Sequence, residues 1–436
     1  MRFRRGRHAV VGLLGLALLA GACTDDDDDA VVETGTGVTA EPCPNAVNDD
    51  NGCIYLGVLS DLTQGPFAAM ATEAVEGQRD FWRRVNEQGG IDGYDIDIDR
   101  YTRDNEYDPE AHAAAYEEIE PEILALAQAL GTPPTAGILE EMDGDDLVGV
   151  PVSWWSGWDF PDTDHGLLLG SGASYCLEAQ VGLDWAVAEL GDVGQVLSVG
   201  YAGGYGDDGA AGVEAWAQAT GTEYGGFVPT DRNAVVGDQD GVVQALLEAS
   251  PDVVHLGVGP AEAGEIVVKM AQRGFEGLFL GSGPSWNPVL LENPDAAQAM
   301  RALYRHLGPW EGFDGTSDAH AAMREVRGDD PPANDGYAAG WIASYPLRAA
   351  LLAAAEDGDL TREGLRAAVD GLEVEYEGAL PSRVYGGDPG EDAPRSVVVS
   401  APDPDAPLGL TTLEAGVTGP TADEYDYAAP CSEPGG

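Results

Sequence analysis

From Ile54 onward, short apolar runs alternate with longer amphipathic ones, and no other feature constrains the fold so tightly. IYLGVLSDL (54–62) reads as a buried strand. AMATEAVEGQRDFWRRVNEQGG (69–90) reads as a helix, with Val75, Phe81, Trp82 and Val85 on one side and Gly89-Gly90 ending it. DIDIDRY (95–101) alternates as a strand, and DPEAHAAAYEEI (108–119) starts a helix with Pro109 in its first turn. ILALAQALG (123–131) reads as a strand because TPPT interrupts directly after it. The second half repeats the rhythm. GQVLSVGYA, DVVHLGVG and LFLGSG are strands. A segment from about Asp208, then DGVVQALLEAS, AEAGEIVVKMAQRG and NPVLLENPDAAQAMRALY, are helices. Strands regularly interleaved with helices give an α/β fold of parallel sheets covered on both faces.

The N-terminal segment points to export. Arg2, Arg4, Arg5 and Arg7 precede AVVGLLGLALLAGA (9–22), a basic region followed by an apolar run too short to span a bilayer comfortably, as in a secretory signal peptide. The Arg4-Arg5 pair also hints at twin-arginine export. Ala20-Gly21-Ala22 before Cys23 resembles the lipobox of bacterial lipoproteins, although Ala20 stands where leucine is usual. That resemblance implies that residues 1–22 are removed and that Cys23 receives a lipid, anchoring the protein on the outer face of the cell membrane. TDDDDDAVVETGTGVTAEP (24–42) offers little apolar surface and many like charges, so residues 23–52 are expected to form a solvated acidic linker.

Losing residues 1–22 removes four arginines and no acid, taking the net charge from −56 to −60, and Lys269 is the sole lysine. Such a surface repels nucleic acid and anionic lipid, so neither is expected as a partner. The remaining stretch of about 410 residues suffices for two or three ordinary domains. Besides Cys23, four cysteines remain: Cys43, Cys53, Cys176 and Cys431. An even number outside the cytoplasm suggests two disulfides, with three pairings open, and the spacing gives no zinc site.

Catalytic signatures are missing: no GxSxG elbow, no HExxH and no phosphate-binding P-loop. His8, His112, His165, His255, His306 and His320 are scattered singly, a pattern of structural or surface residues. GGYGDDGAA (203–211) is one copy of a calcium nonapeptide that needs tandem copies to close its shell. GSGPSW fails as a dinucleotide fingerprint because Trp286 replaces the third glycine. No enzyme, metal or cofactor is expected.

The strand-to-helix turns are more informative, because ligands of doubly wound sheets sit beyond the carboxyl ends of the strands. SDLTQGPFAAM, LGTPPT, VPVSWWSGWDF, YAGGYGDDG and LGSGPSW are rich in Gly, Pro, Ser, Thr and aromatics. Small residues admit a ligand close to the backbone, hydroxyls bind its polar end, and Trp or Tyr covers an apolar part.

IYLGVLSDLTQGPFAAM, then N-x-x-GGI-x-G (86–93) and D-x-x-x-DP (104–109), resembles the extracytoplasmic leucine/isoleucine/valine-binding family that feeds ABC importers. The likeness continues through LGTPPT, VPVS, GGYGDDG, LGSG, GYAAGWIASYPLRAALLAA and RVYGGDPGEDAPRSVVV, from Ile54 to about Ser400. It implies two doubly wound parallel-sheet lobes joined by a three-strand hinge, the type I periplasmic binding fold. Carried over, lobe 1 is residues 53–172 and 307–374, lobe 2 is residues 173–306 and 375–431, and 432–436 is a tail. It also implies disulfides Cys43–Cys53 and Cys176–Cys431.

The binding residues implied by the resemblance are Met70, for a ligand side chain; Thr132 and Thr135, for a carboxylate; and Ser153 and Ser156, for amino and carboxylate groups. Trp154 and Trp155 flank those serines, Tyr205 would cover the ligand from lobe 2, and Ser282 and Trp286 would close the cleft. Relatives often supply an acid near GSGPSW. Its absence here argues against an α-amino acid and for a small molecule with one polar end and an apolar or aromatic body. The implied function is a monomeric solute-binding protein that encloses its ligand by hinge closure and delivers it to a membrane permease. The same fold also serves as a ligand-sensing ectodomain in signalling, which is the alternative. An extracellular hydrolase is a third reading, testable by turnover of bound ligand.

Overall fold

The computed structural model describes residues 32–328 and 330–434. Cys23, the leader and residues 24–31 of the expected linker lie outside these described residues. Five strands build the first sheet: β1 (Val38–Thr39), β2 (Gly52–Ser60), β3 (Tyr94–Asp104), β4 (Ala125–Leu130) and β5 (Gly149–Val152). Central β2 pairs antiparallel with β1 and parallel with both β3 and β4, and β5 extends the sheet beyond β4. Strands β4 and β5 are buried at every position, which is why their sequences run apolar instead of alternating.

Seven strands build the second sheet: β6 (Gln195–Tyr201), β7 (Glu223–Thr230), β8 (Val253–Gly257), β9 (Leu278–Gly281), β10 (Tyr304–Gly308), β11 (Val397–Pro402) and β12 (Leu410–Val417). Their spatial order is β12-β11-β10-β9-β8-β6-β7. The block from β6 to β10 is parallel, while β11 and β12 join antiparallel at one edge.

Four helices border the space between the strand ends: α1 (Ala68–Glu87), α2 (Tyr175–Leu190), α3 (Tyr205–Thr220) and α4 (Gly336–Glu356). Helix α1 buries Phe81 and Trp82, and Phe81 meets Trp341 and Tyr345 of α4 edge-on, with ring centroids 5.5 and 4.9 Å away. The second sheet has a core on each face, as strand alternation requires. Val196 and Leu280 join Leu177 and Trp216 on one side, and Leu197 and Phe279 join Leu246 and Ile266 on the other. Each such side chain contributes about 1.5–3 kcal/mol of hydrophobic stabilisation.

Three expectations change. The stretch 287–304 is not one helix: a 3-10 turn at Pro288–Leu291 precedes a helix at Pro294–Leu303, and Tyr304 already belongs to β10. Pro294 cannot continue a preceding helix, and the Asn293 side chain accepts from the Asp295 and Ala296 N–H groups to start a new one. Residues 32–52 are no free linker. Glu33–Thr34 pairs with Asp359–Leu360, β1 pairs with β2, and Cys43 is buried in a disulfide with Cys53. The C-terminal Ser432–Pro434 is no loose tail either, because Cys431 is bonded to Cys176 and Ser432 is hydrogen-bonded to Trp155 and Asp208. Both disulfides therefore join the pairs that the resemblance implied.

The N-terminal segment is held by one buried carboxylate. Asp95 accepts from the Val47 and Asn48 N–H groups at 2.8 and 2.9 Å and from the Asn48 and Asn51 amides at 3.0 and 2.8 Å. Burial pulls its carboxyl upward, but these donors win and hold it below the ordinary range. Asp95→Ala should cost about 3 kcal/mol, since hydrogen bonds to charged groups are the strong ones. Urea unfolding measures this, and protease nicking between residues 32 and 52 should appear in the variant. Because the folded pKa is depressed, the Asp95 contribution is present at neutral pH and lost on acidification through that value.

Candidate functional site

Asp61, at the end of β2, accepts from Gly65 N–H (2.8 Å) and Phe67 N–H (2.9 Å), folding the Gly-Pro turn so that Phe67 and Met70 reach toward the second sheet. The turns after β4, β5, β6 and β9 carry Thr132, Ser153, Tyr205 and Ser282. The carboxyl ends of strands from both sheets thus converge on one cleft.

A cavity of about 40 Å³ is walled by Met70, Trp154, Glu178, Trp286, His306, Trp310, Asn334 and Asp335. A second space of about 10 Å³ shares Met70 and Trp154 and adds Phe67, Tyr107, Thr132, Ser153, Tyr175 and Tyr205. Aromatic rings seal it: Phe67 lies 5.1 Å from Tyr107 and 6.0 Å from Tyr205, and Tyr175 lies 4.6 Å from Tyr205. Trp154 meets Trp310 edge-on at 5.7 Å, and Trp286 stacks on Tyr304.

Of the residues expected at the site, Met70, Thr132, Ser153, Trp154, Tyr205 and Trp286 come together here. Ser282 is buried beside Glu178 but, like Thr135, lines neither space. Thr132 and Thr135 are fully buried with unpartnered hydroxyl oxygens, but Thr135 lines neither space. Trp155 and Ser156 are turned elsewhere. The Trp155 indole donates to Ser432, and the Ser156 hydroxyl donates to Asp208 at 2.5 Å while accepting from Cys431 N–H. Their spacing from Ser153 placed them in the right turn, but the C-terminal segment takes up their polar groups.

Five of the named wall residues were not anticipated from sequence: Glu178, His306, Trp310, Asn334 and Asp335. Glu178 offered one signal, a single acid among the apolar residues of the first turn of α2. Burial pushes its carboxyl up to about 8, although the Ser282 hydroxyl and Gly283 backbone nearby pull the other way. Burial, helped by the Asp314 charge, raises Asp335 to about 8 against the Phe313 backbone and Trp310 indole. Burial lowers His306 to about 4, and its Nε2 lies 3.0 Å from the Gly283 carbonyl, so that nitrogen carries the hydrogen. Glu178 of α2 thus places an acid beside Gly283 of GSGPSW. Among the described residues, no group of three or more His, Cys, Asp or Glu is placed to hold a metal, and no helix is long and apolar enough to cross a membrane.

Comparison with known proteins agrees with this architecture. The fatty acid ABC transporter substrate-binding protein from Thermomonospora curvata superposes with a TM-score of 0.81 at 22% identity, covering 91% of this chain and 98% of that one. An ABC transporter substrate-binding protein from Aeropyrum pernix gives 0.72 at 17% identity over 86% and 99%. A branched-chain amino acid ABC transporter from Thermus thermophilus, solved with bound valine, gives 0.70 at 13% identity over 86% and 99%. No curated protein sequence matches the chain. The family model described as periplasmic binding protein matches residues 54–393, from the central strand of the first sheet to the turn before β11. That match spans well over half of the chain, which belongs to the periplasmic binding protein family, a family of solute-binding proteins.

Proposed function

We propose that the chain is the extracytoplasmic solute-binding protein of an ABC importer, which closes around a small molecule and presents it to a membrane permease. The observation that carries this reading is the aromatic-walled cavity between the ends of two mostly parallel sheets. In this reading the sheets are the cores of two lobes, with boundaries near residues 172, 306 and 374. Met70, Trp154 and Trp286 cover the apolar body of the ligand, and Thr132, Ser153, Tyr205 and Ser282 meet its polar groups. Hinge closure then assembles the binding site from both lobes without chemistry on the ligand. Cys23 would carry the lipid anchor and the aspartates after it would hold the domain off the membrane. The neighbours named for fatty acids and solved with valine suggest ligands with an apolar body. A space of about 40 Å³ favours a compact one over a long acyl chain.

A thermal-shift screen against amino acids, amines, amides, aromatic acids and sugars tests this reading. A ligand bound only by the folded state adds about 2.7 kcal/mol at a hundredfold excess over Kd. One compound class is expected to raise Tm with the logarithm of its concentration and to shrink the radius of gyration in small-angle scattering. No shift from any class sinks the proposal.

A further inference from the structure

We propose that the solute enters this cleft with an ammonium group, as an organic cation countered by Glu178 and Asp335 and walled by Trp154, Trp286 and Trp310. This rests on the solute-binding reading and names the chemical class of the solute.

The hydrogen-bonding inventory of the cavity is one-sided. Its side-chain donors are engaged: the Trp154 indole on Ser171, the Trp286 indole on Leu408, the Asn334 amide on Ala69, His306 Nε2–H on Gly283, and the Trp310 indole beside Asp335. What remains, once the wall carboxyls ionise, is acceptor capacity. Glu178 Oε1 and Asp335 Oδ1 are buried without a partner, and His306 Nδ1, with the hydrogen on Nε2, is also an acceptor. A buried polar atom left unpaired is costly, so the fitting ligand brings hydrogens. No lysine or arginine lines the cavity, so a carboxylate would enter it without a counter-charge. Tryptophan faces attract cations, most strongly where water is excluded. A chain of net charge −56 draws cations toward it and repels anions.

Proton linkage follows from the same geometry. The titratable groups facing Glu178 are Tyr175, Tyr205, Tyr304 and His306, and Asp314 faces Asp335. Burial raises the tyrosines and lowers His306, so none of these four changes charge near neutrality. Each wall carboxyl has a raised folded value and holds a proton in the empty cavity below about pH 8. A bound cation stabilises the ionised form, so binding releases a proton and tightens as pH rises.

Calorimetry on the full chain tests this with matched probes. Choline is compared with its neutral isostere, in which a quaternary carbon replaces the nitrogen, and phenethylammonium with phenylpropionate. Each cation should bind at least about tenfold more tightly than its counterpart. Cation affinity should rise about tenfold between about pH 6 and about pH 7 for each carboxyl that ionises. Glu178→Gln and Asp335→Asn should each weaken the cations by about tenfold or more while the empty protein keeps its circular dichroism spectrum. If the neutral isostere or the carboxylate binds as tightly, or if both variants keep full cation affinity, the inference is overturned and solute binding stands. If neither these probes nor any member of the wider screen binds, both fall together.

Discussion

Gly340→Leu should leave the protein unable to fold, or lower its melting temperature by more than about 10 °C, a loss in the exceptional class above about 4 kcal/mol. A Cβ at Gly340 would lie 1.8 Å from the Ala74 carbonyl oxygen, one at Gly77 2.1 Å from the Tyr337 oxygen, and one at Gly336 2.1 Å from the Met70 oxygen. These contacts are with backbone, which cannot rotate away. Helices α1 and α4 therefore meet main chain to main chain at three levels, and a side chain at any of them must push the pair apart. Separation would open the aromatic core of Phe81, Trp341 and Tyr345, where overpacking and lost contact act together. Gly144→Ala is the control, because nothing lies within 4 Å of a Cβ there. It should be neutral or slightly stabilising, since alanine suits a helix better than glycine.

The same contact shapes the cleft. Gly336 touches the backbone of Met70, and Asn334 donates to Ala69 while its own side-chain oxygen accepts from Gly336 N–H. The wall formed by Met70, Asn334 and Asp335 is thus set by the depth to which α4 sinks against α1. Gly336→Ala should fold less stably and bind the solute more weakly. A melt combined with ligand titration checks both, and unchanged affinity in a destabilised variant would separate the core from the cleft.

Much of the fold was legible in the sequence because it is local. Strands β2, β4, β6 and β8 announce themselves as short apolar runs, and the Gly-Pro turn, the TPPT turn and the paired tryptophans mark where the chain leaves the sheets. The break at Asn293-Pro294 was also written there, as a cap residue before a proline, but the apolar residues on both sides masked it. What stayed hidden depends on residues far apart. Residues 32–52 look like a linker because their own composition cannot form a core; they are ordered by Asp95 and by β2, both downstream. Glu178, His306 and Asp335 lie on separate stretches of chain, with Trp310 just past the strand that carries His306, and no spacing rule relates the three. A buried acid became visible as a site residue only when its helix was seen to end against Gly283, Trp310 and the start of α4.

Removing the Cys176–Cys431 disulfide, by reduction or as Cys176→Ser with Cys431→Ser, should lower stability by about 5 kcal/mol on the chain-entropy account of cross-links. The bond spans 255 residues of sequence, so its loss frees a large loop in the unfolded chain. Native contacts should go with it. Cys176 N–H, Ser156 N–H and the Ser156 and Ser432 hydroxyls all converge on the buried Asp208 carboxyl. The Trp155 indole reaches Ser432, and Tyr427 donates to Asp159 at 2.8 Å. Trp155 and Ser156 follow the first sheet, whereas Cys176 and Asp208 begin helices on the second, so the C-terminal segment ties one to the other beside the cleft. Once released, it should take the Ser432 hydroxyl from the buried Asp208 carboxyl and make the closed form harder to hold. The expected result is a lower melting temperature and faster solute dissociation, with truncation after Cys431, which keeps the disulfide and removes Ser432, reproducing the second effect. Stability that falls while dissociation stays unchanged would confine the disulfide to restraining the unfolded chain and free the C-terminal segment from any part in closure.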